Sequence, residues 1–123
     1  MAELLTMSIT PQIVAKQRLV AELSELEQQI KAELRSEQHQ LGTELLMVLE
    51  QHLVSFWPDL TKGRLYWPLQ KSMSRLEAVL AALSQLDLNM YGICADCEKN
   101  IEPERLLHDP ATQRCSRCQS LFK

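Results

Sequence analysis

The sequence predicts a mainly α protein, in which an antiparallel helical hairpin packed in the manner of a coiled coil precedes a small C-terminal four-cysteine metal module. Three observations carry that expectation. Leucine and isoleucine recur every three or four residues over two long stretches. A segment of about ten residues, bounded by Trp57-Pro58 and Trp67-Pro68, separates the stretches and fits a helix-to-helix connection. All four cysteines fall in the last 30 residues as two Cys-x-x-Cys pairs.

The first element reads as a helix starting at Thr10-Pro11. Threonine can cap free backbone N–H groups, proline suits the first helical position, and Ile9 and Val14 can form a hydrophobic staple across the cap. Leu19, Leu23, Leu26, Ile30 and Leu34 form one stripe, and Leu41, Leu45, Leu49 and Leu53 carry it on toward an end near Trp57-Pro58. Gly42 is a place where this helix can break, at about 1 kcal/mol relative to alanine. A second helix begins at Pro68, with Leu69, Met73, Leu76, Leu80, Leu83 and Leu86 on one side. At 1.5 Å per residue the two would measure about 65 to 70 Å and about 30 Å. That mismatch leaves three arrangements open: a fold-back near Gly42, packing of the first half on the metal module, or packing on a second copy of the chain. The domain reading is residues 1–90 for the helical part, with its tip at 57–67, and 91–123 for the metal module.

The chain has 123 residues, 46% of them hydrophobic and 24% charged, as expected of one folded domain with a modest core. A formal charge of −3 and a pI near 5.6 supply no basic field to gather nucleic acid. Glu3 stands where a secretory signal needs a cation, and no apolar run approaches the roughly 18 to 20 residues that span a bilayer. A cytosolic protein without membrane association is expected. In a reducing compartment, paired cysteines point to metal rather than to disulfides.

Cys94, Cys97, Cys115 and Cys118, with seventeen residues between the pairs, can set four thiolates in a tetrahedron around one structural Zn²⁺. Gly92 supplies a turn before the first pair. Iron can use the same sulfur set, but an electron carrier is the poorer reading, and a thioredoxin-type pair would need a βαβ context. His108 lies between the knuckles as a surplus to a complete shell, while His39 and His52 lack a partner pattern. With all four positions filled by protein, no site remains for an activated water, and no nucleophile–base pair or phosphate-cradling loop is present, so the chain reads as non-enzymatic.

Tyr91-Gly92-Ile93-Cys94, then Cys97, Ile101, Arg105-Leu106, Pro110, Cys115 and Cys118, resembles the C4 zinc finger of the DksA/TraR family of bacterial regulators. The resemblance covers the last quarter of the chain. It implies a protein that binds RNA polymerase rather than DNA, inserting a helical hairpin through the secondary channel, often together with the alarmone ppGpp. Family tips carry an Asp-x-x-Asp-x-Ala pattern; here Asp59 is followed three residues later by Lys62, which reverses the second charge. Glu98 stands where the family usually has glycine.

Phe56, Trp57, Tyr66 and Trp67 cluster at the expected tip. They support two readings. In one, Trp57, Asp59, Arg64 and Trp67 form an exposed partner-binding surface. In the other, which is preferred, the two Trp-Pro pairs pack together to close the hairpin. Around the module, Lys99, Arg105, Arg114, Arg117 and Lys123 are balanced by Asp96, Glu98, Glu102, Glu104 and Asp109, leaving no clear basic face. An alternative to polymerase regulation is a zinc-stapled adaptor that homodimerises through the long N-terminal helix.

Overall fold

The structure, a computed structural model, describes the backbone of residues 2–36, 40–62 and 67–121, and the side chains of 11–36, 42–62 and 69–121. Its helices are α1 (Ala2–Ser36), α2 (Gln40–Glu50), α3 (Trp57–Leu60), α4 (Trp67–Asp87), α5 (Pro103–His108) and α6 (Ser116–Ser120). The protein is mainly helical, and among the described residues pairing of β type is confined to one isolated bridge, Ile93 with Asn100. The chain forms two compact units, one of Met1–Ala21 with Ala81–Lys123 and one of Glu22–Leu80.

In the second unit α1 packs on α4. Leu26, Ile30 and Leu34 of α1 are buried, as are Leu69, Met73, Leu76 and Val79 of α4, with Leu49 of α2 and Trp57 of α3 completing the interior. Each such side chain contributes about 1.5 to 3 kcal/mol on burial. Polar contacts set the register of this pair. The Arg75 guanidinium clasps the Glu22 carboxylate through Nε and Nη2, and the Ser72 hydroxyl donates to Glu33 Oε1 at 2.9 Å. Residue numbers rise along α1 as they fall along α4, so the helices run antiparallel. A partly exposed ion pair of this kind is worth about 1 kcal/mol or less, so the apolar stripe holds the pair together and Arg75–Glu22 aligns it. Glu27 and Lys31 form the expected helix-face pair at 3.6 Å.

Three boundaries differ from the sequence reading. α1 begins at Ala2 and contains Pro11 within it, so Pro11 does not open the helix. The residues before it, Ala-Glu-Leu-Leu, are good helix formers, and one missing backbone bond does not stop the helix. The Thr10 cap and the Ile9 half of the staple lie outside the described side chains. The long first helix is divided: α1 ends at Ser36, and α2 starts at Gln40 with Gly42 buried inside it. Arg35 reaches Glu50 at 3.6 Å, whereas a straight helix would hold them about 22 Å apart, so the chain turns between α1 and α2. Finally, α2 ends at Glu50, and Trp57-Pro58 opens α3 instead of closing the preceding helix, with proline in the first turn where its missing N–H costs nothing.

Trp57 is only 1% exposed. Its indole N–H donates to the carbonyls of Leu49 at 2.9 Å and His52 at 3.2 Å, at the end of α2 where helical carbonyls lack partners. The buried Thr61 hydroxyl then donates back to Trp57 O at 2.9 Å and Pro58 O at 3.2 Å. Residues 63–66, including Arg64 and Tyr66, and the side chains of Trp67 and Pro68 lie outside the described set.

Trp57→Phe removes the indole donor and leaves a small void. It is expected to destabilise the protein by about 1 to 3 kcal/mol, read as a lower urea midpoint at unchanged slope.

Candidate metal centre

The first knuckle is shaped by backbone geometry. Gly92 has φ +87°, and a side chain at that position would be strained whatever the space around it. Beyond it the chain turns tightly: Cys94 N–H donates to Lys99 O at 2.8 Å, Glu98 N–H to Cys94 O at 3.1 Å, and Ile101 N–H to Gly92 O at 2.7 Å. The turn needs a left-handed residue directly after Cys97, and Glu98 takes that role at φ +63°. Glu98, which stands where the resemblance places glycine, thus carries a backbone conformation that favours glycine.

The second knuckle uses a helix start. Cys115 precedes α6 in extended conformation and its carbonyl accepts from Gln119 N–H at 2.9 Å, while Cys118 sits inside the helix. The Glu102 carboxylate accepts the Ser116 N–H at 3.1 Å, occupying a donor that the helix itself leaves free. Hydrogen bonds from Ser116 and from its own backbone hold the Glu102 carboxyl below its ordinary range. Ala95 N–H donates to Gln113 O at 2.8 Å and Arg114 pairs with Asp96, so backbone and side chains both join the knuckles.

The four sulfurs lie within 4.8 Å of one another. Cys97 Sγ and Cys115 Sγ are 3.8 Å apart, which is the edge of a tetrahedron with arms of about 2.3 Å, the zinc–sulfur bond length. The donor set therefore fits one zinc ion, which would cross-link the knuckles. Cys94, Cys115 and Cys118 are buried with Ile101, Leu106 packs against them, and Cys97 is exposed. Left to themselves the thiols titrate unequally. Backbone N–H groups, those of Cys97 and Cys115 foremost, lower Cys94 to about 6, while burial and then the neighbouring thiols push Cys118 up to about 12.

Two side chains bind the module to the helices of its own unit, and a third, Tyr91, ties the start of the module to its middle. Arg18 of α1 donates to Leu107 O at 2.6 Å and His108 O at 3.4 Å, placing a cation at the C-terminal end of α5 where the carbonyl dipoles converge. Tyr91 Oη donates to Pro110 O at 2.8 Å, and burial raises its pKa against the opposing field of Arg18. Gln85 of α4 donates to Gln113 Oε1 at 2.9 Å. This settles one arrangement left open by the sequence: the first part of α1 belongs to the unit of the metal module. The sequence reading gave Arg18 no role and counted Glu102 only as a charge. For Glu102, its place thirteen residues before Cys115 offered no periodic signal.

The other candidates lie elsewhere. The exposed His108 is outside the sulfur cluster. Asp59 is exposed and faces Lys62 at 4.0 Å, a solvated pair worth a few tenths of a kcal/mol. Trp57 is buried in the second unit, and the side chains of Arg64 and Trp67 are outside the described set. Among the described residues no helix is long and apolar enough to cross a membrane.

Residues 89–122 match the family model described as the prokaryotic dksA/traR C4-type zinc finger. The match covers the metal module and leaves α1 to α4 unassigned. No curated protein and no solved structure matches the chain.

Glu98→Gly should relieve the left-handed strain and stabilise the finger by up to about 1 kcal/mol, with tighter zinc retention in a chelator competition. The pH dependence has a definite sign. Because Cys94 is depressed below its ordinary value, its thiolate favours the folded site above pH 9 and loses that contribution as the pH falls through about 6. Zinc affinity is accordingly expected to fall as the pH is lowered from 8, through proton competition at Cys118, and to fall more steeply below pH 6, measured with a chromophoric chelator between pH 8 and 5.

Proposed function

We propose that this protein is a non-enzymatic, cytoplasmic regulator of bacterial transcription, which contacts RNA polymerase through its helices and uses the zinc finger as their anchor. The match of residues 89–122 to the dksA/traR finger carries this reading. The antiparallel packing of α1 on α4 supports it, since a helical hairpin is the element that would enter the secondary channel of the enzyme. Residues 1–90 would then act as the polymerase-facing part and 91–123 as the anchor.

In this reading the bound zinc supplies a rigid cross-link. The protein's own residues do the rest. Arg18 and Gln85 fix the finger to α1 and α4, so that a shift at the knuckles is felt by the helices. Asp59, Arg64 and Trp67 are the proposed partner contacts. Trp57, buried against Leu49 and His52, supports the segment that presents Asp59. With Lys62 beside it, Asp59 offers a nearly neutral pair rather than the doubly acidic tip of the family pattern, so the tip would not compete for the enzyme's magnesium.

A second reading, an adaptor that self-associates through α1, is favoured by the exposed apolar residues Ile13, Val14 and Val20 on that helix.

The test is binding of the zinc-loaded protein to bacterial RNA polymerase core enzyme. Micromolar or tighter binding is expected, weakened at least about threefold by Asp59→Ala and by Trp67→Ala. Absence of binding at tens of micromolar would overturn the polymerase reading and leave the zinc site untouched.

A further inference from the structure

Within the unit that holds the finger, a groove of about 480 Å³ runs between α1 and α5, a size common among sites for small molecules. Pro11, Val14, Ala15 and Arg18 share one face of α1 and form one wall, and Leu106 and Leu107 belong to the other. Leu107 is 73% exposed and Val14 43%, so the groove leaves large apolar surface in water. Leu106 instead packs inward against the cysteine cluster, which gives the groove a floor held by the finger's own core.

Charge is confined to one end. Among the described residues the lining carries a single formal charge, that of Arg18, the last of the α1 positions. The guanidinium donates from Nη1 to Leu107 O and from Nη2 to His108 O, so its place is set before any ligand arrives. Nε–H and a second N–H on each terminal nitrogen are left over, and an Nε–Nη edge is the fork that receives a carboxylate through two parallel bonds. Asp109, next in sequence after His108, is not part of the lining, and its Oδ1 accepts the Ala111 N–H at 2.9 Å. From Pro11 to Arg18 the face of α1 runs about 10.5 Å, so apolar surface and cation are laid out lengthwise.

We propose that this groove binds a small amphipathic monocarboxylate, with its carboxylate on Arg18 and its alkyl chain along Val14, Pro11 and Leu107. Charge complementarity selects the head. One cation balances one negative charge, whereas a phosphate dianion would bring an excess charge into a largely apolar cleft. A lipid bilayer surface is disfavoured as well, because one arginine is no basic patch and the chain as a whole carries −3. The uncovered apolar walls select the tail, at up to about fourfold in affinity for each methylene removed from water. The proposal stands apart from the polymerase reading, because it concerns a different surface and needs no enzyme.

Calorimetric titration of octanoate into the full zinc-loaded chain tests it, with hexanoate and octanol as comparison ligands and Val14→Glu, Leu107→Glu and Arg18→Gln as variants. Val14 and Leu107 stand outside the buried core, and unchanged helical signal and zinc content establish that the variants fold. Octanoate is expected to bind once per chain with a sub-millimolar dissociation constant, weakened at least about fivefold in hexanoate by the loss of two methylenes and at least about tenfold by either glutamate. Octanol should bind at least about threefold more weakly than octanoate, a preference that Arg18→Gln abolishes. Should Arg18→Gln loosen α5, the two glutamate variants still decide the matter. Absence of octanoate binding at several millimolar overturns the proposal, as does binding that neither glutamate weakens. Equal affinity for the acid and the alcohol overturns it too, by leaving Arg18 as a strut for α5 alone.

Discussion

Four sulfur atoms drawn within 4.8 Å of one another are the constraint on which the C-terminal part of this protein rests. Three of the four are buried in one small cluster with Ile101, against which Leu106 packs. A core of that size supplies far too little burial to offset the conformational entropy of the segments around it. The ligands are thus also the core, and metal binding and folding of the module are one event. The knuckle geometry follows from that demand: a left-handed residue after Cys97, a helix start after Cys115, and backbone N–H groups turned toward sulfur.

The rest of the unit converts this local order into order at longer range. Leu107 and His108 carbonyls, fixed because α5 lies between the knuckles, are what Arg18 grasps from α1. Gln85 makes a corresponding link from α4, and Tyr91 closes the module's own start onto Pro110. The second unit needs no such device. There the apolar faces of α1 and α4 suffice, and the Arg75–Glu22 pair selects their alignment. One unit is held mainly by chemistry at a point and the other mainly by buried area.

This difference explains what could be seen in the sequence. Cysteine spacing has few structural solutions, so the ligands were plain, whereas Glu98 stood out only through the resemblance, which places a glycine there. Burial of Leu19, Leu26, Ile30, Leu34, Leu49, Leu69, Met73 and Leu76 followed from period alone. Helix boundaries did not. Thr10-Pro11 is a strong start signal, yet the helix runs through it from Ala2. Trp57-Pro58 is ambiguous locally, because proline both follows helices and opens them, and only the indole's reach back to Leu49 decides between the two. Arg18 was hidden because its partner is a backbone carbonyl 89 residues away, and side-chain patterns do not report on carbonyls.

That separation also bears on how the chain is made. The finger's unit joins the beginning of α1 to residues after Ala81, with all of Glu22–Leu80 in between. During synthesis, α1 leaves the ribosome long before its anchoring carbonyls exist, and loop closure over that distance is slow compared with local helix formation. The second unit can collapse on its own residues in the meantime, whereas the exposed apolar side of early α1 must wait. The order of assembly is therefore written into the topology: metal capture must wait for residues after Ala81, and only then does the beginning of α1 find its place.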